Sequence, residues 1–251
     1  IRRPPRSTQG VSSAASDVYK RQVLRETSMK IKSILSVIAL SVFTFSTAFA
    51  DKPVAISKAD GPNSLEIGIS VDVGNHKIMR NQNNGNTVNP AFAKTSRPCP
   101  PFCVQPMQLR PGVETIGEQE IIHYAVMMSK GMKMPDGSEI MIIDSRTPDW
   151  TAKGMIPGAV NIPWTDLSEA KGADPISIAE IMTEKFGAEE QNGLFYYNNA
   201  KTLVMYCNGM WCGQSPNNIK SLLKYGYPAD KIKWFRGGMQ TWEILGFNTV
   251  K

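Results

Sequence analysis

Short apolar segments alternate with amphipathic ones through the C-terminal half of this chain, and this alternation limits the possible folds more than any other feature. Glu139–Asp144, Lys201–Tyr206 and Lys231–Phe235 have the length and composition of buried strands. A capping-box spacing at Thr115–Glu118 predicts a helix that runs to about Lys130. A short helix is predicted at the end of a turn within Ile162–Ala170. Longer helices are predicted over Ile176–Phe186, Pro216–Tyr225 and Met239–Leu245. Strands that alternate with helices predict βαβ units, and therefore an α/β fold with a mostly parallel central sheet.

Residues 51–112 differ in composition from the rest and are predicted to form an irregular N-terminal extension. They are rich in Pro, Asn and Gly, and only Ser64–Val73 shows the alternation of a strand. Four prolines between Arg97 and Pro106 exclude a helix and a central strand there. We therefore expect this extension to pack across the domain formed by residues 113–251 rather than to fold alone.

The residues before position 51 have the pattern of a targeting segment. A short basic stretch begins at Met29, an apolar run covers residues 34–45, and residues 48–50 form an A-x-A cleavage site. Residues 29–50 are therefore predicted to be a signal peptide cleaved after Ala50, which leaves a periplasmic or secreted chain without a membrane span. The apolar run is short for the alternative, a transmembrane anchor. Residues 1–28 precede this signal and are interpreted as non-native read-through sequence.

The charge distribution argues against a nucleic-acid partner. The formal net charge is +6, but residues 1–50 carry eight cationic and two anionic side chains. Residues 51–251 carry twenty of each, so the predicted mature chain has no net charge. A nucleic-acid-binding protein needs a basic surface, and none is indicated outside the leader.

Cys207 stands where chemistry is expected, because it directly follows the predicted strand Lys201–Tyr206 and a helix begins a few residues later. Ligands of open parallel sheets bind at the carboxyl ends of strands, and a loop that leads into a helix directs its N–H groups at an anion. The helix dipole also favours the thiolate of a cysteine held there. The alternative is a buried cysteine without a function, but two glycines in the loop favour a nucleophile in an anion-binding cradle. The predicted cradle consists of Asn208, Gly209, Met210, Trp211, Gly213 and Gln214.

Three motifs in the expected order make residues 113–247 similar to the rhodanese family of sulfurtransferases. Ile142–Arg146 and Gly154–Pro163 resemble the family's first signature, and Arg236–Trp242 resembles its last. Cys207 lies between them after its strand. The resemblance implies a rhodanese-like three-layer fold and a sulfur atom carried as a persulfide on Cys207. It also implies transfer from a small sulfur-containing anion to a thiol or cyanide, with no metal and no organic cofactor.

The active-site loop departs from the family pattern, in which an arginine follows the cysteine after four residues. Cys212 occupies that position here, and no Lys, Arg or His lies between Cys207 and Ser215. A dianionic donor would then depend on backbone N–H groups and the helix dipole, without a guanidinium group. Specificity for thiosulfate therefore does not follow from the resemblance.

The remaining cysteines leave several interpretations open. Cys212 is close enough in sequence to Cys207 to form a disulfide or to act as a resolving thiol, and an incidental buried thiol is the alternative. Cys99 and Cys103 are expected to form a small disulfide in an exported protein, and a thiol pair brought to the active site is the alternative. A metal site built from all four cysteines has irregular spacing and is disfavoured.

Several other residues are weighed as supports of the site. Asp144 and Arg146, at the end of a strand, are expected to form an ion pair that is either structural or a brace for the loop. Ser215 or Gln214 is expected near the cap of the helix that follows, and Trp211 either lines the pocket or fills the core. Trp234 is predicted to pack in the core. Three functions are compatible with this pattern: a sulfurtransferase, a thiol–disulfide or sulfur-relay protein with a redox partner, and a non-catalytic binding module.

Overall fold

The computed structural model describes residues 70–251, and a five-stranded sheet with helices on both faces forms its centre. The strands are β1 (Ser70–Val73), β2 (His76–Met79), β3 (Glu114–Ile116), β4 (Ile140–Asp144), β5 (Val160–Asn161), β6 (Glu189–Gln191), β7 (Leu194–Tyr196), β8 (Thr202–Tyr206) and β9 (Ile232–Phe235). The α-helices are α1 (Glu118–Ser129), α2 (Pro148–Thr151), α3 (Pro175–Glu180), α4 (Gln214–Lys224) and α5 (Gly238–Ile244). A π turn over Ile181–Lys185 continues α3, and 3-10 turns cover Glu169–Lys171 and Ala229–Lys231.

The central sheet has the strand order β3-β9-β8-β4-β5, and every neighbouring pair is parallel. The predicted α/β class with a mostly parallel sheet is confirmed. Tyr206 at the end of β8 is paired with Asp144 on one side and with Phe235 on the other. The three central strands therefore end at one level, and the residues that follow them meet at one edge of the sheet.

Alternation along β8 explains why helices cover both faces. Leu203 and Met205 pack in a core with residues of α3 and α4, whereas Val204 and Tyr206 pack in a second core with residues of α1 and α5. All five residues of β8 are buried. A strand buried on both sides is a continuous apolar segment in the sequence, and the result is a three-layer architecture.

The capping box predicted at Thr115–Glu118 is wrong. Thr115 lies in β3, and α1 begins at Glu118 with Gly117 as its N-cap. The Glu120 carboxylate accepts the backbone N–H of Gly117 at 2.9 Å. The pairing of β3 with β9 continues through Ile116, so the chain reaches helical geometry only after that residue.

The other predicted elements agree with the structure to within one or two residues, except in the middle of the domain. The helix expected near the end of Ile162–Ala170 is a single 3-10 turn at Glu169–Lys171. The elements that were not predicted are the short strands β2, β3, β5, β6 and β7 and the one-turn helix α2. These strands are too short, and β6 is too polar, to show a strand period.

The described part of the N-terminal extension packs against the domain. The antiparallel hairpin β1–β2 buries Val73 and Ile78, and Phe92 joins the same core as α1 and α5. Only residues 70–73 of the strand predicted at Ser64–Val73 are described. The predicted signal peptide and the segment 1–28 lie outside the described residues. Within residues 70–251, no helix has the length and apolarity needed to cross a membrane.

Candidate active site

Cys207 is the first residue after β8 and lies at the carboxyl edge of the sheet. Its side chain is buried, with 2% of its surface exposed. Its carbonyl oxygen accepts the backbone N–H of Met239 in α5 at 3.0 Å, and α4 begins seven residues later at Gln214. The thiol is therefore enclosed between the end of a central strand and the N-terminal ends of two helices.

Hydrogen-bond donors surround the sulfur of Cys207. Ser215 Oγ lies 3.1 Å from Cys207 Sγ, and the indole N–H of Trp234 donates to that same Oγ at 3.1 Å. Burial alone would raise the pKa of Cys207, but hydrogen bonds from the Cys212 thiol, the Ser215 hydroxyl and the backbone N–H groups of Ser215 and Gly209 lower it from 9.0 to about 7. These donors favour the thiolate form of a group that burial would otherwise keep neutral.

Ser215 and Trp234 have roles that the sequence did not predict. Ser215 does not cap α4, since the N-cap position belongs to Gly213 and the Ser215 hydroxyl serves Cys207 instead. Trp234 is buried in the core as expected, but its N–H also orients that hydroxyl. The available signal for Ser215 was its position in the first turn of the helix after the loop, next to the predicted nucleophile.

Cys212 lies beside Cys207, and both thiols are free and buried. The Cys207 thiol approaches the carbonyl oxygen of Cys212 at 3.6 Å, and the Cys212 thiol approaches Gln214 Oε1 at 3.7 Å. Burial and the adjacent charge of Cys207 raise the pKa of Cys212 well above its usual value. Of the two thiols, Cys207 therefore ionises first, and Cys212 keeps its proton to higher pH.

The rest of the predicted cradle is distributed around these two sulfur atoms. Asn208 is buried, and its side-chain N–H group approaches Cys212 Sγ at 3.9 Å and Gln214 Oε1 at 3.4 Å. Its Oδ1 atom is buried without a hydrogen-bond partner. Met210 is exposed at the surface of the loop.

Gly238, the first residue of α5, packs closely against the backbone of the Cys207 loop. A Cβ atom on Gly238 would lie 2.3 Å from the carbonyl oxygen of Cys207 and 2.8 Å from the backbone nitrogen of Gly209. Gly238 also has a φ of +56°, in the left-handed region that favours glycine. The backbone N–H of Gln240 donates to Asn208 O at 2.9 Å. The segment Arg236–Trp242 can thus approach the Cys207 loop only because residue 238 is glycine.

Asp144 and Arg146 form a fully buried ion pair at 2.6 Å, with both side chains at 0% exposure. Arg146 also donates to the carbonyl oxygens of Gly154 at 2.6 Å and Trp150 at 3.3 Å. Burial lowers the pKa of Arg146, but the contacts with Asp144 outweigh this effect and keep the group charged, and the Cys207 charge contributes in the same direction. The pair holds the segment after β4 in place, and its charge lies close enough to interact with Cys207.

The N-terminal extension reaches the active-site loop. A disulfide joins Cys99 to Cys103, and the backbone N–H of Gln105 donates to Met210 O at 2.8 Å. Trp211 does not fill the core, since it is half-buried and its ring contacts the Phe102 ring of this extension. Its N–H donates to Gln240 Oε1 at 2.9 Å.

The four cysteines do not form one cluster. Cys99 and Cys103 are disulfide-bonded, while Cys207 and Cys212 are free. Among residues 70–251, no group of three or more His, Cys, Asp and Glu side chains is arranged to hold a metal ion. The two free thiols are thus separate from the disulfide of the extension.

Comparison with known proteins matches part of the chain to a known domain family. The family model described as "Rhodanese-like domain" matches residues 129–245. A curated relative, an HTH-type transcriptional regulator of Mycobacterium tuberculosis, is 22% identical over 122 residues, which are 49% of this chain and 42% of that protein. The match thus spans less than half the length of that relative.

Similar solved structures cover about half of the chain. A protein of unknown function from Rhodopseudomonas palustris, described as a possible tyrosine phosphatase, is 21% identical with a TM-score of 0.37, and the match covers 55% of this chain and 85% of that one. The human single-domain sulfurtransferase is 20% identical with a TM-score of 0.31, and the match covers 52% of this chain and 95% of that one.

Proposed function

We propose, from the premise that residues 129–245 of this chain are a rhodanese-like domain, that the protein is a sulfurtransferase that carries a sulfane sulfur as a persulfide on Cys207. The single observation that carries this proposal is the geometry of Cys207, which is buried at the carboxyl edge of the sheet with the Ser215 hydroxyl 3.1 Å from its sulfur. These surroundings lower the pKa of Cys207 to about 7. The thiolate is the nucleophilic form of cysteine, and about half of it is present near neutral pH at such a pKa.

The first step of the proposed reaction is attack of the Cys207 thiolate on the outer sulfur of a donor such as thiosulfate. A sulfur–sulfur bond forms to Cys207, the bond to the sulfonate sulfur breaks, and its electron pair leaves with sulfite. In the second step an acceptor thiolate attacks the outer sulfur of the persulfide, and the electron pair of the broken bond returns to Cys207. Each step conserves charge and needs no added oxidant.

The donors around Cys207 support both steps. The Ser215 hydroxyl and the N–H groups of Gly209 and Ser215 stabilise the attacking thiolate, and they also stabilise Cys207 when it leaves in the second step. The raised pKa of Cys212 keeps its thiol protonated, so it competes poorly as an attacking group. A persulfide on Cys207 is thereby protected from its nearest neighbour.

The closeness of the two free thiols favours one second candidate, a thiol–disulfide or sulfur-relay protein with a redox partner. Deprotonated Cys212 would attack the inner sulfur of the persulfide and form a Cys207–Cys212 disulfide, and hydrosulfide would leave with the electron pair. A thiol partner protein would then have to reduce this disulfide. The third candidate, a non-catalytic binding module, requires neither cysteine.

The proposal includes export to the periplasm or beyond. Its supports are the signal-peptide pattern ending at Ala50 and the Cys99–Cys103 disulfide, because such bonds persist in oxidising compartments. The proposed partners are a small sulfur-containing anion as donor and a thiol as acceptor. N-terminal sequencing of the exported protein tests cleavage after Ala50.

Intact-mass spectrometry of the purified protein tests the assignment. The briefly reduced protein is treated with thiosulfate, and separately with polysulfide, alongside the variants Cys207→Ser and Cys212→Ser. We expect a gain of one sulfur atom in the wild type and in Cys212→Ser, and no gain in Cys207→Ser. Subsequent loss of that sulfur to an added thiol completes the transfer.

Other outcomes identify the other candidates. Loss of two hydrogens, dependent on both cysteines and without any gain of sulfur, contradicts the sulfurtransferase and indicates a dithiol redox protein. A wild-type mass that changes with neither donor nor mild oxidant leaves the binding module.

A further inference from the structure

Arg97, from the N-terminal extension, lies directly on the active-site loop. Its guanidinium carbon is 3.6 Å from the centre of the Trp211 ring and 5.9 Å from the centre of the Phe102 ring. The Trp211 and Phe102 rings meet edge to face at 5.7 Å. Arg97 therefore places a positive charge against Trp211. Trp211 directly precedes Cys212, which stands where the family pattern has an arginine.

The charge of Arg97 has no counter-charge among residues 70–251. Arg146 is paired with Asp144 and Lys231 with Asp136, but no carboxylate of the described chain lies within ion-pair distance of Arg97. Its Nε atom is buried and has no hydrogen-bond partner. A partly buried cation with an unpaired N–H group is unfavourable unless an anion balances its charge and accepts that hydrogen bond.

The position of Arg97 relative to the loop is fixed by several contacts. The disulfide between Cys99 and Cys103 closes the turn that follows it. Gln105 then donates to Met210 O at 2.8 Å, and its own carbonyl oxygen accepts two N–H groups of Arg236 at 2.8 and 3.1 Å. The segment is thus tied both to the active-site loop and to the residue after β9.

The loop itself contributes no cationic side chain that could attract an anionic sulfur donor. The stretch between Cys207 and Ser215 contains no Lys, Arg or His, and the proposed donor and its leaving group are both anions. Asn208 in the same loop also has a buried oxygen without a partner, so the polar groups of this loop are not fully paired. Arg97 is outside the matched domain at residues 129–245, so the domain alone does not contain this charge.

We infer that Arg97 completes the active site from outside the rhodanese-like domain, as a specificity residue that selects small anionic sulfur compounds at the mouth of the Cys207 loop. This inference rests on the proposed function for the identity of the donor. The positive charge favours the approach of an anion through charge-assisted hydrogen bonds and through its local field. An uncharged reagent of the same size gains nothing from it.

Two alkylating reagents of nearly equal size test this inference directly. Iodoacetate is an anion and iodoacetamide is neutral, and both react by attack of the Cys207 thiolate on the CH2 carbon with loss of iodide. Rates of Cys207 modification are measured by peptide mass spectrometry on the protein with its Cys99–Cys103 disulfide intact. The variants are Arg97→Gln, Arg97→Lys and the control Arg110→Gln, which removes the same charge from an exposed position.

We expect the ratio of the iodoacetate rate to the iodoacetamide rate to fall about tenfold in Arg97→Gln. The ratio should change less than about threefold in Arg97→Lys, which keeps the charge, and should not change in Arg110→Gln. High salt should lower the wild-type ratio, since the charge lies at a partly exposed rim. An equal change of both rates in Arg97→Gln, or none, would overturn the inference and leave Arg97 as an anchor of the extension.

Sulfur loading with thiosulfate separates this inference from the proposed function. If the wild type gains sulfur and Arg97→Gln gains it at the same rate, the anion role of Arg97 fails and the sulfurtransferase stands. If the wild type gains no sulfur from any donor while Arg97→Gln still loses its preference for iodoacetate, the proposed function fails and the anion site stands.

Discussion

Ser215 Oγ lies 3.1 Å from Cys207 Sγ and donates its hydrogen to that sulfur. The direction of this hydrogen bond follows from the second partner of the hydroxyl. The indole N–H of Trp234, 3.1 Å away, can only donate, so it occupies a lone pair of Ser215 Oγ and leaves the hydroxyl hydrogen for Cys207. A neutral pair of side chains thereby stabilises a buried thiolate.

Ser215→Ala should raise the pKa of Cys207 from about 7 toward its ordinary value of 9.0. The thiolate loses one of the donors that offset burial, so a higher pH is needed to form it. The iodoacetamide rate rises with pH as the thiolate forms, and the midpoint of this rise reports the pKa. At pH 7 we expect the rate to fall about three- to tenfold.

Ser221→Ala is the matched control, because Ser221 lies further along α4 and its side chain is remote from the sulfur. Its midpoint should equal that of the wild type. An unchanged midpoint in Ser215→Ala would mean that the Cys212 thiol and the backbone N–H groups stabilise the thiolate without the Ser215 hydroxyl.

Trp234→Phe should move the same midpoint upward by a smaller amount. The hydroxyl of Ser215 remains, but without the indole N–H it is free to rotate away from the sulfur. The variant also removes part of a side chain that is 1% exposed, so we expect it to lower the free energy of unfolding by about 1–3 kcal/mol. Urea denaturation and the pH dependence of alkylation measure the two effects separately, and a loss of stability with no shift in midpoint contradicts the orienting role.

Gly238→Ala should both destabilise the fold and distort the Cys207 loop. The new Cβ atom would lie 2.3 Å from the carbonyl oxygen of Cys207, and the backbone must move to relieve this contact. Gly74→Ala is a close control, since its φ of +57° matches the +56° of Gly238 but no atom lies within 4 Å of its Cβ position.

The two variants separate backbone strain from collision. We expect Gly74→Ala to lower the free energy of unfolding by about 1 kcal/mol, and Gly238→Ala by roughly 2–4 kcal/mol with slower alkylation of Cys207. Equal losses in urea denaturation would show that the close approach to Cys207 O has no energetic consequence.

Asp144→Asn should be strongly destabilising because it leaves Arg146 charged, buried and without its counter-charge. Breaking one side of a buried pair lowers the free energy of unfolding by about 3–5 kcal/mol. The partly exposed pair of Lys233 and Glu114, at 2.9 Å, gives the comparison, and Glu114→Gln should change stability by about 0–1 kcal/mol. Similar losses in both variants, measured by urea denaturation, would contradict the structural importance of the buried pair.

The three central strands and the long helices of the domain were predictable because each has a strong local signal. β4, β8 and β9 are apolar segments of strand length, and α4 has a clear amphipathic pattern. The position of Cys207 after β8 also follows from local sequence, since a residue after a buried strand must lie at the sheet edge. The capping box at Thr115 was wrong because pairing with β9 is a long-range interaction that overrides a local helix signal.

The residues that contact the proposed nucleophile could not be predicted from the sequence. Ser215 and Trp234 are 19 residues apart, and only the parallel placement of β9 beside β8 brings the indole N–H to the hydroxyl. The contact of Gly238 with Cys207 O has the same origin. In each case the two contacting residues belong to different parts of the chain that meet at the sheet edge. Local sequence patterns cannot show which distant residues meet there.

The sequence by itself determined the α/β class, the order of the main elements and the position of the proposed nucleophile, because periodicity and motif order are local properties of the chain. Tertiary structure alone decided which groups surround that nucleophile. Arg97 lies 110 residues before Cys207, and it reaches the loop only because the extension packs across the domain and is tied to Met210 and Arg236. Hydrogen bonds and charges act over a few ångströms in space, and distance along the chain does not limit them.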